Sequence, residues 1–210
     1  MSVETLFTLL DYAGIALFAA SGGIVAARKS LDPFGAAVIG VVTGMGGGTT
    51  RDIILGQLPV YWIAQPHYLV IAIIGGLVGY YGSELVRGET GARRTALIWA
   101  DAAGLSVFCV LGAQAGLAIG AHWSVALVTG VLTASFGGFV RDVIVNEVPL
   151  LLREDIYALA ALLGASVYLI ALQFDLDPGL SAIIAALGAF ALRGLAIVYR
   201  WTLPAIGRID

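Results

Sequence analysis

The sequence predicts an all-α membrane protein. Seven transmembrane helices are expected in a single transmembrane domain over 1–210: two inverted three-helix repeats (about 5–86 and 95–173) and a seventh helix (about 178–200). Three observations carry this reading. Of the 210 residues, 60% are apolar and only 12% charged, against about 45–50% and about 25% in a soluble domain. Seven apolar stretches approach the ~20 residues that a helix needs to cross a bilayer. The chain also matches itself at a constant offset.

The spans are expected at 5–27, 34–58, 66–86, 95–119, 124–148, 155–173 and 178–200. The first is preceded by Met-Ser-Val-Glu, without the positive charge expected of a cleaved leader. Asp32-Pro33 opens the second and Asp177-Pro178 the seventh, each an N-cap acid before a proline in the first turn. Pro66 and Asp155 open the third and sixth. Arg28, Lys29, Arg87, Arg93, Arg94, Arg153, Arg200 and Arg208 all fall on one side of such an arrangement, and no Lys or Arg falls near residues 60, 121 or 175 on the other. Cytoplasmic loops concentrate Lys and Arg, so the N-terminus is expected outside and the C-terminus in the cytoplasm of a multi-pass cell (inner) membrane protein.

Asp11, Gly14, Phe18 and Gly22 align with Asp101, Gly104, Phe108 and Gly112, and Gly40, Val41 and Thr43 with Gly130, Val131 and Thr133. Gly47-Gly48-x-x-Arg51-Asp52 aligns with Gly137-Gly138-x-x-Arg141-Asp142, and Pro59 with Pro149. The offset is 90 residues throughout, since 101 − 11 and 149 − 59 are both 90. Three spans per repeat is an odd number, which places the second repeat upside down, an arrangement that puts a site near the midplane where repeats meet.

The chemistry concentrates in the second and fifth spans. Gly44, Gly46, Gly47 and Gly48 each cost about 1 kcal/mol of helix propensity and predict a break, whose free carbonyls could replace the waters of a cation. Close helix packing through small residues is the alternative. Thr43, Thr49, Thr50 and Thr133 could line a pore or bond back to their own helices. An Arg or Asp at the bilayer centre costs ~2.5–3.5 kcal/mol or more, so Arg51, Asp52, Arg141 and Asp142 need partners. Neighbours on a helix point about 100° apart, which predicts cross-helix pairs instead: Asp11 with Arg51 and Asp101 with Arg141. Such pairs either bind helices together or line a charge-balanced path. Gly75, Gly76 and Gly79, with Ala161 and Ala165, are expected to form contacts between protomers.

The remaining residues exclude other classes. There is no basic patch for nucleic acid, no nucleophile–base pair or carboxylate pair for an enzyme, and no cofactor motif. The two histidines have no metal-ligand spacing, and the one cysteine, Cys109, sits in an apolar run.

Seven spans, two inverted repeats and the paired Gly-Gly-x-x-Arg-Asp motifs resemble the prokaryotic branch of the trimeric intracellular cation (TRIC) channels, also described as glycine transporters. The resemblance implies a homotrimer embedded in membrane lipids. Each protomer would hold one pore, formed chiefly by the first, second, fourth and fifth spans, and would pass monovalent cations, potassium above sodium. Carried over by motif, the pore region is Gly46, Gly47, Gly48, Arg51 and Asp52 with Gly137, Gly138, Arg141 and Asp142. The Lys-Glu-Val motif of animal members, associated with phosphoinositide binding, is not found in this chain. A secondary transporter of a small solute such as glycine is the alternative function.

Overall fold

The computed structural model describes residues 2–86, 91–153 and 156–201; Arg87, Asp155 and Arg208 lie outside them. Among the described residues all regular structure is helical. The long helices are α1 (Val3–Arg28), α2 (Pro33–Ile54), α4 (His67–Gly82), α5 (Ala92–Ala118), α6 (Trp123–Ile144), α8 (Tyr157–Gln173) and α9 (Pro178–Tyr199). The single turns α3 (Tyr61–Ala64) and α7 (Leu150–Arg153) follow α2 and α6, and a 3-10 turn over Ser83–Val86 extends α4. Five of these, α1, α4 with its extension, α5, α6 and α9, are long and apolar enough to cross a membrane. Helix α2 is diluted by glycine and by Arg51-Asp52, and α8 has 17 residues.

The caps form as the sequence predicts. The Asp32 and Asp177 carboxylates accept from the Gly35 and Leu180 backbone N–H at 2.7 and 2.9 Å. Helices α2 and α6 end earlier than their apolar runs. Gly56 (φ 68°) and Asn146 (φ 55°) turn the chain into the left-handed region, and the following Gln57 and Glu147 N–H groups bond back to the Asp52 and Asp142 carbonyls, both at 2.8 Å. This six-to-one closure ends a helix whatever the hydropathy beyond it.

Helices α1, α2 and α4 pack as one unit, α5, α6 and α8 as another, and α9 lies against α8 and α5. The units meet through α1 with α5 and α2 with α6. Contacts across this seam are reciprocal at the 90-residue offset. Phe18 stacks on Phe108 at 5.4 Å, while Gly14 faces Phe108 and Gly104 faces Phe18. A Cβ on Gly47 would overlap the Thr133 carbonyl, and one on Gly137 the Thr43 carbonyl.

Two sequence expectations are corrected here. Helix α2 runs unbroken through Gly44–Gly48, because those glycines are used for close approach: Gly44 lies against the Ile15 carbonyl, Gly47 against Thr133 and Gly48 against the Tyr61 ring. The small-residue stripes are not outward-facing. Gly75 and Gly79 lie against the Ala16 and Ala20 carbonyls and Gly76 against that of Ala36, while Ala161 and Ala165 are fully buried. These residues bind helices within one protomer.

Candidate functional site

The Arg-Asp pairs sit in the last turn of α2 and of α6 and are built alike. Arg51 Nε and Nη2 reach Asp52 Oδ1 at 2.9 and 2.8 Å, and Arg141 Nε reaches Asp142 Oδ1 at 2.8 Å. Each aspartate's other oxygen accepts a backbone N–H from the following short helix: Tyr61 N to Asp52 and Leu150 N to Asp142, both at 2.9 Å. The expectation of cross-helix pairs in place of neighbouring ones is therefore corrected: both arginines pair with the neighbouring aspartate, and the Arg141–Asp101 pair forms in addition. The aspartate is pinned by the returning chain, and the long guanidinium curls onto it. Asp52 and Asp142 are buried at 2% and 3% exposure, and act as anchors that aim the arginines.

The arginines then differ. Arg141 adds Asp101 Oδ1 at 2.7 Å and Ser21 Oγ at 2.8 Å from Nη1, and is fully buried. Gly138 makes room for this group: a Cβ there would meet Asp101 Oδ1 at 3.2 Å and the Tyr157 hydroxyl at 3.3 Å. Arg193 of α9 lies over the Tyr157 ring at 5.3 Å. Arg51 pairs with Asp52 in place of the expected Asp11, and lies 5.8 Å from the Tyr61 ring centroid. Arg51 and Asp11 instead line one cavity of about 280 Å³, with Thr8, Gln57, Tyr68 and Gln114 as further polar walls. A larger cavity of about 600 Å³ shares Phe7, Thr8 and Gln114 with it and extends to Glu4 and Pro178. Both lie at the end of the molecule that holds the start of α1 and the ends of α2 and α5.

The other predicted residues form the waist between the units. Thr43 and Thr133 donate to the Ile39 and Thr129 carbonyls, each at 2.6 Å, and Thr49 and Thr50 to Met45 and Gly46. Their hydroxyl protons are thus held within their own helices. A Cβ on Gly46 would stand 3.3 Å from the Gly137 Cα. Sequence reasoning missed Gln57, Gln114, Ser21 and Tyr157. Gln114 carries a readable signal, an amide isolated in an apolar run.

Helices that bring paired charges to the seam between two three-helix units define a membrane protein with a polar interior. A family model described as Glycine transporter matches residues 8–84 and 98–173. The UPF0126 inner membrane protein YadS of Escherichia coli (strain K12) is 40% identical over 159 residues, 76% of this chain and 75% of that one. A UPF0126 membrane protein of Vibrio cholerae is 35% identical, covering 95% of this chain and 82% of the relative. Among solved structures, the TRIC trimeric intracellular cation channel orthologue from Rhodobacter sphaeroides superimposes with a TM-score of 0.88 at 37% identity, over 94% of this chain and 100% of that one. A prokaryotic TRIC channel in 0.5 M KCl gives 0.87 at 32% identity, over 95% of this chain and 100% of that one. The chain belongs to the prokaryotic TRIC channel family.

Proposed function

We propose that the protein is a channel for monovalent cations, potassium above sodium, with a pore through each protomer of a homotrimer in the inner membrane. One observation carries the pore's location. The cavity holding Asp11 and Arg51 opens between the two three-helix units, along the seam at which inverted repeats place their sites. All seven long helices then cross the bilayer, the N-terminus outside and the C-terminus in the cytoplasm. The glycine-rich, charge-bearing α2 is tolerated because its charges face protein and cavity rather than lipid. Within the pathway Asp11 offers negative charge to a cation and Arg51 sets a barrier. Asp101 and Arg141 are their inner counterparts, and Thr43, Gly46, Gly47, Gly48, Thr133, Gly137 and Gly138 form the waist. Asp52 and Asp142 hold the arginines in place. The protein uses no cofactor and is not an enzyme.

A second reading rests on the same cavity. A carboxylate and a guanidinium on neighbouring helices, in a space open at one end, suit a zwitterion such as glycine, and a secondary transporter would use them so. Proteoliposomes distinguish the two. A channel releases trapped potassium down its gradient when the membrane potential is clamped, and takes up no glycine against a gradient. Saturable, ion-coupled glycine uptake without potassium release would reverse the assignment.

A further inference from the structure

We infer that the inner half of the pathway is closed by an apolar plug of Ile24, Val25 and Leu97, held shut at the membrane surface by Glu147 between Arg28 and Lys29. The inference rests on the pathway proposed above, and it comes from comparing each half with the other at the 90-residue offset. The outer cavity is lined by Phe7, Thr8, Gln114 and Ala115. Their counterparts on the inner side are Leu97, Ile98, Ile24 and Val25. The Gln114 amide and the Ala115 methyl of the open half are thus replaced by the branched aliphatic side chains of Ile24 and Val25, and Leu97 stands where Phe7 does. Ile24, Val25 and Leu97 are buried at 7%, 0% and 3% exposure and form a cluster of their own, apart from the main core, with Ala96, Ala100 and Val145 against it. An apolar constriction excludes ions by excluding the water that accompanies them.

The latch lies immediately beyond the plug. Glu147 is the counterpart of Gln57, a neutral wall of the outer cavity. Its Oε1 lies 3.1 Å from Lys29 Nζ and 3.5 Å from Arg28 Nη2, with these side chains 24–34% exposed. Arg28 and Lys29 close the C-terminal end of α1, and Glu147 stands two residues from Val145 on the turn after α6. The contact therefore fastens the turn bearing Val145 to the helix bearing Ile24 and Val25. Half-exposed ion pairs of this kind are weak and salt-sensitive, as a closure that must open requires.

The test uses the full chain in proteoliposomes, with Glu147→Gln to release the latch and Val25→Thr to wet the plug at nearly constant volume. The first readout is potassium flux, expected to rise severalfold in each variant. The second is independent of conduction: the rate at which a membrane-impermeant thiosulfonate, applied to the cytoplasmic face, modifies Ser21→Cys, which lies deeper than the plug. Cys109 is fully buried, so the unsubstituted chain gives the background. Ser21→Cys is expected to be protected alone and severalfold faster in combination with either variant. Fast modification without a second change overturns the plug, as do unchanged rates and unchanged flux in both combinations while the unsubstituted protein conducts. If the rates rise but no preparation passes potassium, the plug stands as an inner closure and the channel assignment fails.

Discussion

Arg51 and Arg141 occupy equivalent positions and differ in burial, so the same substitution at each measures what the surroundings contribute. Arg141→Met removes a side chain with 0% exposure and three partners, Asp101, Asp142 and Ser21. Asp142 keeps the Leu150 N–H, but Asp101 is left a buried carboxylate at 1% exposure. Removing one member of a buried pair costs about 3–5 kcal/mol. At about 2–4 °C per kcal/mol for a chain of this length, the melting temperature falls by roughly 10 °C. Arg51→Met removes a side chain 12% exposed on a cavity with a single carboxylate partner, where water can solvate what remains. That loss is about 1–3 kcal/mol, or roughly 5 °C. The assay is thermal unfolding of the detergent-solubilised protein, followed by tryptophan fluorescence and by recovery on size exclusion. The double variant Asp101→Asn with Arg141→Met should recover part of the loss. An Arg51→Met loss equal to or larger than that of Arg141→Met would refute the reasoning, and so would two silent substitutions.

Three further outcomes are expected. Gly137→Ala should lower stability by about 1–3 kcal/mol through overpacking despite the better helix propensity of alanine, because its Cβ would overlap the Thr43 carbonyl; an equal or raised melting temperature would contradict the α2–α6 contact. Glu147 lies beyond the end of α6. Burial alone would raise its carboxyl pKa, but the Lys29 hydrogen bond and the charges of Arg28, Lys29 and Arg153 outweigh burial and hold it below the ordinary value of 4.5. A depressed folded-state pKa stabilises above the unfolded value and ceases to do so as pH falls through the folded one. Glu147→Gln should therefore remove the small difference in stability, under about 1 kcal/mol, between neutral pH and pH below 4.5 that this residue contributes; an unaltered pH profile would contradict the contact. In mild detergent the protein should run as a trimer by light scattering, and a cytoplasm-only reporter should be active at the C-terminus and silent near residue 121. A monomer or an inverted reporter pattern would overturn the assembly or the orientation.

The long helices were legible because burial in lipid demands long apolar runs, and the caps at Asp32 and Asp177 because proline and aspartate have few other uses at a helix start. The pair Asp101–Arg141 was legible from cost: a charge at that depth needs a partner, and the offset named one. The same argument missed for Arg51, since the sequence does not show that the chain after α2 folds back to pin Asp52 through the Tyr61 N–H. The glycine run was misread as a break because propensity is a local quantity, whereas the gain from letting α2 and α6 touch depends on where Thr133 lies. Gln57 and Gln114 are 57 residues apart and come to one cavity only through the packing of α1 on α5 and α2 on α6 across the seam.

The measurement that bears most directly on the channel assignment is single-channel recording of the purified trimer in a planar bilayer under a KCl gradient. The account predicts discrete openings that reverse near the potassium equilibrium potential, with a unitary conductance changed by Arg51→Ala in a protein that still folds. Silent bilayers from folded trimer, or openings that reverse near the chloride potential, would contradict it.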